Sequence, residues 1–277
     1  MTEKSYGNPR QAVIDEPVAI HVEEIVTKGY TCLTDMLNED QLREYREAID
    51  GIYEGQVQKF GLDQLAAINE LDVCRAPVLY DLKFLLLANH PSVSAICKSL
   101  LGEWVILNQQ NAVINRPGVM HHQTSWHRDL PYQNFVSTQP LALSVLWMID
   151  EFSQETGGTQ VVPYTHRMEV LPSKSYINSN KVSLSGRPGS VVIFDSMLFH
   201  CAGTNSSSLP RRAVNNVLTR PILKQFCDFP KALGEHKDLS PDDAQLLGYT
   251  SQVPVDDVAW RQARIERKTG SSFREGV

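Results

Sequence analysis

The sequence has no apolar run of membrane-spanning length, no excess of positive charge and no paired cysteine motif. A transmembrane helix needs roughly 20 consecutive apolar residues, and polar or charged residues interrupt every run in this chain well before that length. The formal net charge is -6 at pH 7, which argues against a general surface for nucleic acids or anionic lipids. We therefore expect neither nucleic acid nor a membrane among the partners of this protein.

Cysteine is scarce, and its spacing is irregular. The five cysteines are Cys32, Cys74, Cys97, Cys201 and Cys227. Their odd number and the lack of any Cys-x-x-Cys pair disfavour a disulfide framework or a zinc site, and they favour reduced thiols. The first residues also lack the apolar core of a signal peptide. Both features predict a cytoplasmic protein.

Repeats and low-complexity segments are missing too, so the organisation of the 277 residues has to be inferred from local patterns. From Trp104 onward, short runs rich in β-forming residues alternate with turn residues, which is typical of an antiparallel β-sandwich or small barrel. We predict strands at 104–113, 141–149, 159–162, 190–194 and 213–219. These runs define a β core over about 104–220.

Helical patterns flank the β core on both sides. Asn38 can cap a helix whose apolar residues recur at helical spacing. Pro91 stands at the first turn of a second predicted helix that ends at Gly102. In the tail, Ser240 and Pro241 predict another helix start.

We interpret the chain as a single domain over 1–277. It has a helical flank over about 15–103 and a helical tail over about 221–277. A split into two domains near residue 103 is the alternative. We disfavour it because an isolated β core of this length would leave one sheet face uncovered.

Within the β core, one residue separates His127 from Asp129. Alternate residues of an extended strand point to the same face, so both side chains can reach one metal ion while Arg128 points away. His200 follows a later apolar run and is the leading candidate for a third ligand. Two histidines and a carboxylate can hold one face of a ferrous ion and leave the opposite face open. The chain has eight histidines, so the His-x-Asp spacing alone is weak support.

A basic residue downstream strengthens this hypothesis. Arg211 and Arg212 begin the run that follows His200. Adjacent residues of a strand face opposite sides, so only one of the two can point inward, and we predict that it is Arg211. A buried arginine can hold a distal carboxylate with two parallel, charge-assisted hydrogen bonds. The alternative is a solvated arginine pair at a strand edge.

Five pieces of sequence then stand in a characteristic order along the chain. They are 126–132 (WHRDLPY), 150–159 (DEFSQETGGT), 162–167 (VPYTHR), 189–200 (GSVVIFDSMLFH) and Arg211. In these pieces and their offsets, the chain resembles the phytanoyl-CoA dioxygenase family of Fe(II)/2-oxoglutarate-dependent oxygenases over about residues 29–247. The resemblance implies a mainly β fold with flanking helices, built as a double-stranded β-helix, which is a cupin-like jelly roll.

The resemblance also implies a cofactor and two cosubstrates. Fe(II) would be held by His127, Asp129 and His200, and 2-oxoglutarate would be anchored by Arg211, with O2 as the oxidant. The implied reaction decarboxylates 2-oxoglutarate to succinate and CO2 while a C–H bond of the substrate is oxidised.

Polar residues near these positions are candidates for the remaining contacts. The strand around 108–111 is unusually polar for a core strand, and we expect the alternate pair Gln109 and Asn111 to line the pocket rather than Asn108 and Gln110. We assign cosubstrate contacts to Asn111 and Thr124, and substrate contacts to Gln109, Gln123, Tyr132 and Asn215.

Two further segments near the site give predictions: the strand run 141–149 and the loop that contains a pair of histidines. In the run 141–149, alternation turns Leu146 toward the site and Trp147 away from it. His121 and His122 precede the His-x-Asp motif in a polar loop. That loop is either solvated or a lid that contacts the substrate.

The resemblance predicts an oxidoreductase that hydroxylates a small-molecule metabolite. Asp129 favours this reaction over halogenation, because halogenating relatives carry a small residue there. Desaturation or ring formation by the same machinery stays open, and the sequence does not identify the substrate. Two alternatives belong to other classes: a non-catalytic, metal-binding β-barrel with a sensor or structural role, and a metal-dependent hydrolase that uses a bound water.

Overall fold

The computed structural model describes residues 18–119, 121–130, 133, 135–235 and 238–270. Its helices in these ranges are α1 (Val18–Lys28), α2 (Glu39–Phe60), α3 (Leu62–Ala67), α4 (Leu85–Asn89), α5 (Pro91–Leu101), α6 (Lys174–Asn180), α7 (Phe229–Leu233), α8 (Pro241–Leu247) and α9 (Asp257–Thr269). Its strands are β1 (Tyr30–Leu33), β2 (Val73–Arg75), β3 (Ile106–Asn115), β4 (Ala142–Met148), β5 (Gln160–Val161), β6 (Val182–Ser183), β7 (Val191–Asp195), β8 (His200–Cys201) and β9 (Arg211–Thr219). The five predicted runs appear as β3, β4, β5, β7 and β9.

The strands form two antiparallel sheets. The larger sheet has the order β1-β7-β4-β9-β3-β2, and the smaller one has the order β6-β5-β8. Apolar side chains of the larger sheet, including Leu146, Val192 and Phe194, pack against Val161 and Leu198 from the side of the smaller sheet. Two sheets with a shared apolar interior form the jelly roll that the sequence resemblance implied, and this prediction is confirmed.

Helices cover the other face of the larger sheet. The main core joins the outward side chains of β4, β7 and β9 to residues of α2, α5 and α8, such as Ile49, Ile96 and Leu247. Trp147 is completely buried there, and its indole Nε1 donates to the Leu87 carbonyl oxygen at 2.6 Å. Leu146 belongs to the inner cluster instead, as the alternation of the strand predicted. Helices from both flanks thus share one core with the sheet, and the single domain over 1–277 stays a prediction.

The prediction that the N-terminal flank is helical is incomplete. Two of its segments, β1 and β2, join the larger sheet by pairing with β7 and β3. These strands have four and three residues, which is too short for a period-two pattern to be distinguished from a loop. Their hydrogen-bonding partners lie far along the chain, so tertiary contacts rather than local sequence determine them.

The three predicted helix starts are confirmed. At α2, Asn38 and Gln41 form a reciprocal capping box. At α5, Pro91 occupies the first turn, and at α8 the Ser240 side chain accepts from the Asp243 backbone N–H. Such caps satisfy backbone donors that the first turn of a helix leaves free.

Across the described ranges, no one helix combines the length and hydropathy of a membrane span. Two consecutive helical segments meet these criteria only when they are taken together, and only by length and composition. They are Leu82–Asn89 and Pro91–Leu101, with a bend of 57° between them.

We expect Trp147→Phe to lower the free energy of unfolding by about 1–3 kcal/mol, because it removes the bond to Leu87 and leaves a small cavity. Urea unfolding followed by circular dichroism measures the change. Trp104→Phe is the matched control, since Trp104 is 63% exposed and its replacement should change stability by less than about 0.5 kcal/mol. Equal effects of the two substitutions would contradict the assigned packing.

Candidate metal centre

Backbone pairing brings the two histidines of the candidate centre together. The His127 N–H donates to the His200 carbonyl oxygen at 2.9 Å, and the His200 N–H donates to the His127 carbonyl oxygen at 3.1 Å. The Asp129 N–H donates to the Ser196 carbonyl oxygen at 3.0 Å, which extends the same pairing. One ligand atom from each of His127, Asp129 and His200 lies within 4.8 Å of the other two. The three residues can therefore hold one metal ion.

Each histidine presents the same ring nitrogen to this centre. The Nδ1 of His127 lies 2.8 Å from the Ser125 carbonyl oxygen, and the Nδ1 of His200 lies 3.0 Å from the Leu198 carbonyl oxygen. A carbonyl oxygen only accepts, so Nδ1 carries the proton in both rings and Nε2 keeps its lone pair. Such a bond fixes both the tautomer and the ring orientation of a ligating histidine.

The Asp129 carboxylate is held from two strands of the larger sheet. Its Oδ2 accepts from the Ser144 hydroxyl on β4 at 2.5 Å and from the Asn215 Nδ2 on β9 at 2.9 Å. Its Oδ1 lies 3.6 Å from the His200 Nε2. Hydrogen bonds to Oδ2 thus orient the group, and Oδ1 lies beside the histidine where it could bind a metal ion.

Charge and burial shift the pKa values of Asp129 and His200 in the directions that favour metal binding. Burial alone would raise the pKa of Asp129, but His200, His127 and the bonds from Ser144 and Asn215 outweigh it and hold that pKa below its ordinary value. Burial is also the main reason that the pKa of His200 is lowered. An ionised carboxylate beside a neutral imidazole is the combination that binds a divalent cation.

Arg211 is a buried cation without a carboxylate partner among the described residues. It is 3% exposed, its Nη2 donates to the Gly157 carbonyl oxygen at 3.0 Å, and its guanidinium carbon lies 4.2 Å from the centre of the Phe152 ring. Its Nε is buried with no hydrogen-bond partner in the same ranges. Burial lowers the pKa of Arg211 to about 10, which leaves it charged at neutral pH. A buried charge of this kind is costly unless an anion compensates it.

The neighbouring arginine points to the opposite side of β9. Arg212 forms ion pairs with Asp50 at 2.7 Å and with Asp150 at 3.0 Å. Arg211 therefore faces the interior, like Asn215, which is four residues further along the strand and bonds to Asp129. The geometry agrees with the predicted choice between the two arginines.

Gln109 and Asn111 lie on the same inner face as Asn215. In the register of β3 and β9, Asn111 stands opposite Asn215, and Gln109 stands opposite Val217. Gln110 turns toward the helical side, where its Nε2 donates to the Phe84 carbonyl oxygen at 3.0 Å, whereas Asn108 stands at a register shift of β3. Gln110 donates to Asn216 at 2.7 Å.

The remaining predicted contacts lie in the segment before the His-x-Asp motif. Gln123 and Thr124 belong to a 3-10 turn, His122–Thr124. The Gln123 carbonyl oxygen accepts from the Ala202 N–H at 2.8 Å, which places the turn next to β8. Tyr132 lies outside the described residues.

The interpretation of His121 as part of a solvated loop is wrong. Its side chain is 5% exposed and lies 4.3 Å from the ring of His122, measured between ring centres. Burial is the main cause that lowers the pKa of His121 to about 4, so the ring is neutral at physiological pH. The solvated alternative thus fails for His121, whereas His122 in the same loop is exposed.

Ser144 and Arg75 were not predicted at this site. Ser144 is two residues before Leu146 on β4, so the alternation that turned Leu146 inward could have identified it. Arg75 donates to the Asn111 Oδ1 at 2.8 Å from β2, a strand that the sequence pattern did not reveal. No local signal could have identified this second contact.

A jelly roll that carries two histidines and one carboxylate on one side of a potential metal site is typical of mononuclear non-haem iron oxygenases. The family model for phytanoyl-CoA dioxygenase (PhyH) matches residues 25–213, and the chain belongs to this family of Fe(II)/2-oxoglutarate-dependent dioxygenases. The protein is thus an enzyme of the Fe(II)/2-oxoglutarate-dependent dioxygenase type, with Fe(II), 2-oxoglutarate and O2 as cofactor and cosubstrates.

Individual proteins are also similar to this chain. The uncharacterized protein Rv1501 of Mycobacterium tuberculosis is 33% identical over 234 residues, which cover 81% of this chain and 84% of that protein. The structure of EctD from S. alaskensis with bound Fe has a TM-score of 0.60 at 20% identity, over 78% of this chain and 83% of that chain. The alpha ketoglutarate dependent epimerase SnoN from nogalamycin biosynthesis has a TM-score of 0.54 at 19% identity, over 74% and 83% respectively. At these identities the two structural likenesses concern the fold.

We expect Ser144→Ala to weaken metal binding on the order of tenfold, because it removes one of the two hydrogen bonds that orient the Asp129 carboxylate. Anaerobic titration with Fe(II), followed by calorimetry, measures the affinity. Ser190→Ala is the matched control, since Ser190 is equally buried but its hydroxyl has no hydrogen-bond partner among the described residues. An unchanged affinity in Ser144→Ala would show that this hydroxyl does not orient the carboxylate.

Proposed function

We propose that the protein hydroxylates a small-molecule metabolite with Fe(II), 2-oxoglutarate and O2. The observation that carries this proposal is Arg211, a buried guanidinium with no carboxylate partner in the described ranges. A dicarboxylate cosubstrate supplies the anion that such a group requires. Neither a purely structural barrel nor a hydrolase that uses a metal-bound water accounts for it.

The donor set suits a ferrous ion. His127 and His200 would each contribute Nε2, and Asp129 would contribute Oδ1, so that one face of the ion is held and the other is left for cosubstrate and oxygen. Once bound, iron and 2-oxoglutarate supply the oxidising chemistry, in which the cosubstrate is converted to succinate and CO2 and the substrate receives an oxygen atom. The contribution of the protein is to bind, orient and exclude competing groups.

We propose that different residues contact the two small molecules. We assign Arg211 to the distal carboxylate of 2-oxoglutarate, and Asn111 and Thr124 to further contacts with the cosubstrate. Gln109, Gln123, Tyr132 and Asn215 are assigned to the substrate. The apolar cluster around Leu146 and Phe194 closes the inner side and keeps water from the reacting groups.

Hydroxylation is the outcome that this chain favours among the reactions of such sites. SnoN is an epimerase, so the fold alone does not select the reaction. The carboxylate of Asp129 is present and oriented, which fills the position that a halide would need. We also propose that the enzyme works in the cytoplasm, where a protein with five free cysteines stays reduced.

Removal of a proposed ligand should abolish both metal binding and cosubstrate turnover. We expect His127→Ala to lose Fe(II) and to form no succinate from 2-oxoglutarate, because two ligands hold the ion poorly. The weak visible absorption of the anaerobic complex of Fe(II) and 2-oxoglutarate reports binding, and succinate reports turnover. His21→Ala is the control, since His21 bonds to Thr31 on the outer side. An active His127→Ala variant, or wild-type activity with zinc but not with iron, would contradict the proposal.

The adjacent arginines offer a matched pair of substitutions. We expect Arg211→Met to raise the 2-oxoglutarate Kd by about 100-fold, since a buried charge pair is lost, without loss of Fe(II). Arg212→Met removes the ion pairs with Asp50 and Asp150, so it should lower stability but change this Kd by less than about twofold. Anaerobic titration of the visible band measures both. If the two variants bound 2-oxoglutarate equally well, Arg211 would not be its anchor.

A further inference from the structure

One row of residues runs across the larger sheet toward the candidate metal centre. In the register of β2, β3 and β9, Arg75 stands opposite Asn111, and Asn111 stands opposite Asn215. Asn215 in turn donates to the Oδ2 of Asp129 at 2.9 Å. Residues directly opposite each other in antiparallel strands have Cα atoms about 5 Å apart. The row therefore connects an edge strand to a proposed metal ligand.

The guanidinium of Arg75 is held in place by a carboxylate and an aromatic ring. Its Nε donates to the Glu70 Oε2 at 2.9 Å, and its Nη2 pairs with the other oxygen of the same carboxylate. The guanidinium carbon also lies 5.4 Å from the centre of the Phe226 ring. Since the Arg75 side chain is 29% exposed, this arrangement stands at the rim of the inner face rather than in the core.

The remaining guanidinium nitrogen of Arg75 determines the orientation of the Asn111 side-chain amide. Its Nη1 donates to the Asn111 Oδ1 at 2.8 Å. The oxygen and nitrogen of an asparagine amide occupy almost the same space but differ in hydrogen bonding, and arginine can only donate. Arg75 therefore holds the Oδ1 atom of Asn111 toward β2, so that the Nδ2 atom of the same amide points away from Arg75. Within the described ranges, Nδ2 forms no hydrogen bond.

We propose that Arg75 is a positioning residue that orients Asn111 so that its Nδ2 donates to a carboxylate of 2-oxoglutarate at the metal centre. This inference rests on the proposed function, because it needs the cosubstrate to bind beside Asp129. A carboxylate only accepts hydrogen bonds. The flipped amide would present an oxygen to it and would replace an attraction by a repulsion.

The backbone of β2 does not depend on the Arg75 side chain. The Gln56 side chain donates to the Arg75 carbonyl oxygen at 2.8 Å and accepts from the Arg75 N–H at 3.0 Å. These two bonds hold the strand from α2. Substitution of the arginine should therefore leave β2 in place and affect the amide alone.

The test compares 2-oxoglutarate affinity in single and double variants, all loaded with Fe(II) under anaerobic conditions. We expect Arg75→Met and Asn111→Ala each to raise the 2-oxoglutarate Kd roughly tenfold, the size expected for one hydrogen bond to a charged group. The double variant should be no weaker than Asn111→Ala alone, because Arg75 acts only through that amide. Arg75→Lys should restore part of the affinity, since lysine also only donates. Fe(II) affinity should be unchanged throughout.

Arg116→Met is the matched control, because Arg116 pairs with Asp72 near the same edge of the sheet at 2.6 Å but contacts no proposed site residue. Its 2-oxoglutarate Kd should equal that of the wild type. The positioning role would be overturned if the losses of 2-oxoglutarate affinity in the two single variants multiplied in the double variant. It would also be overturned if the Kd were unchanged in Arg75→Met or in Asn111→Ala. Either result would leave the proposed function intact. A wild type that binds no 2-oxoglutarate in the presence of Fe(II) would overturn both.

Discussion

The strands of the larger sheet pack one face against the helices and turn the other toward the smaller sheet, and the candidate site depends on this constraint. On β4, Val145 and Trp147 belong to the core shared with the helices, whereas Leu146 faces the smaller sheet and Ser144 reaches Asp129. Adjacent residues of a strand alternate in direction, so neither face can change without moving the other. The packing of the helices therefore determines where the polar groups of the inner face stand.

The charged side chains on the inner face favour one combination of ligands, because their charges have to be balanced. Asp129 is held ionised by its surroundings, and Arg211 is buried as a cation. A divalent metal and a dianionic cosubstrate make this set neutral, because two carboxylates and Asp129 then oppose the metal and Arg211. A metal with only a bound water would leave an excess of positive charge in a poorly solvated interior. Charge balance thus favours the dioxygenase over the hydrolase.

The parts of this site that could be predicted from sequence are those that lie within one segment or follow from alternation. The spacing of His127 and Asp129, the inward turn of Arg211 rather than Arg212, and the outward turn of Trp147 each needed only a period of two. Pairing partners distant in sequence could not be predicted in this way. The three-residue strand β2 brings Arg75 to Asn111 across 36 positions, and its local sequence resembles a loop. The burial of His121 could not be predicted for the same reason, since burial of a residue in a polar loop depends on what it packs against.

Ion pairs on the outer face explain why the register of β9 is secure. A slip by one residue would turn Arg212 into the interior and Arg211 out of it, together with every other side chain of the strand. Arg212 is held by Asp50 on α2 and by Asp150 after β4, and Asp150 also pairs with Arg46 at 2.8 Å. The two pairs of Arg212 would be lost by the slip, and Arg211 would leave its place beside Gly157. The outer charges thus disfavour the alternative register, in which Arg212 rather than the proposed anchor Arg211 would face the interior.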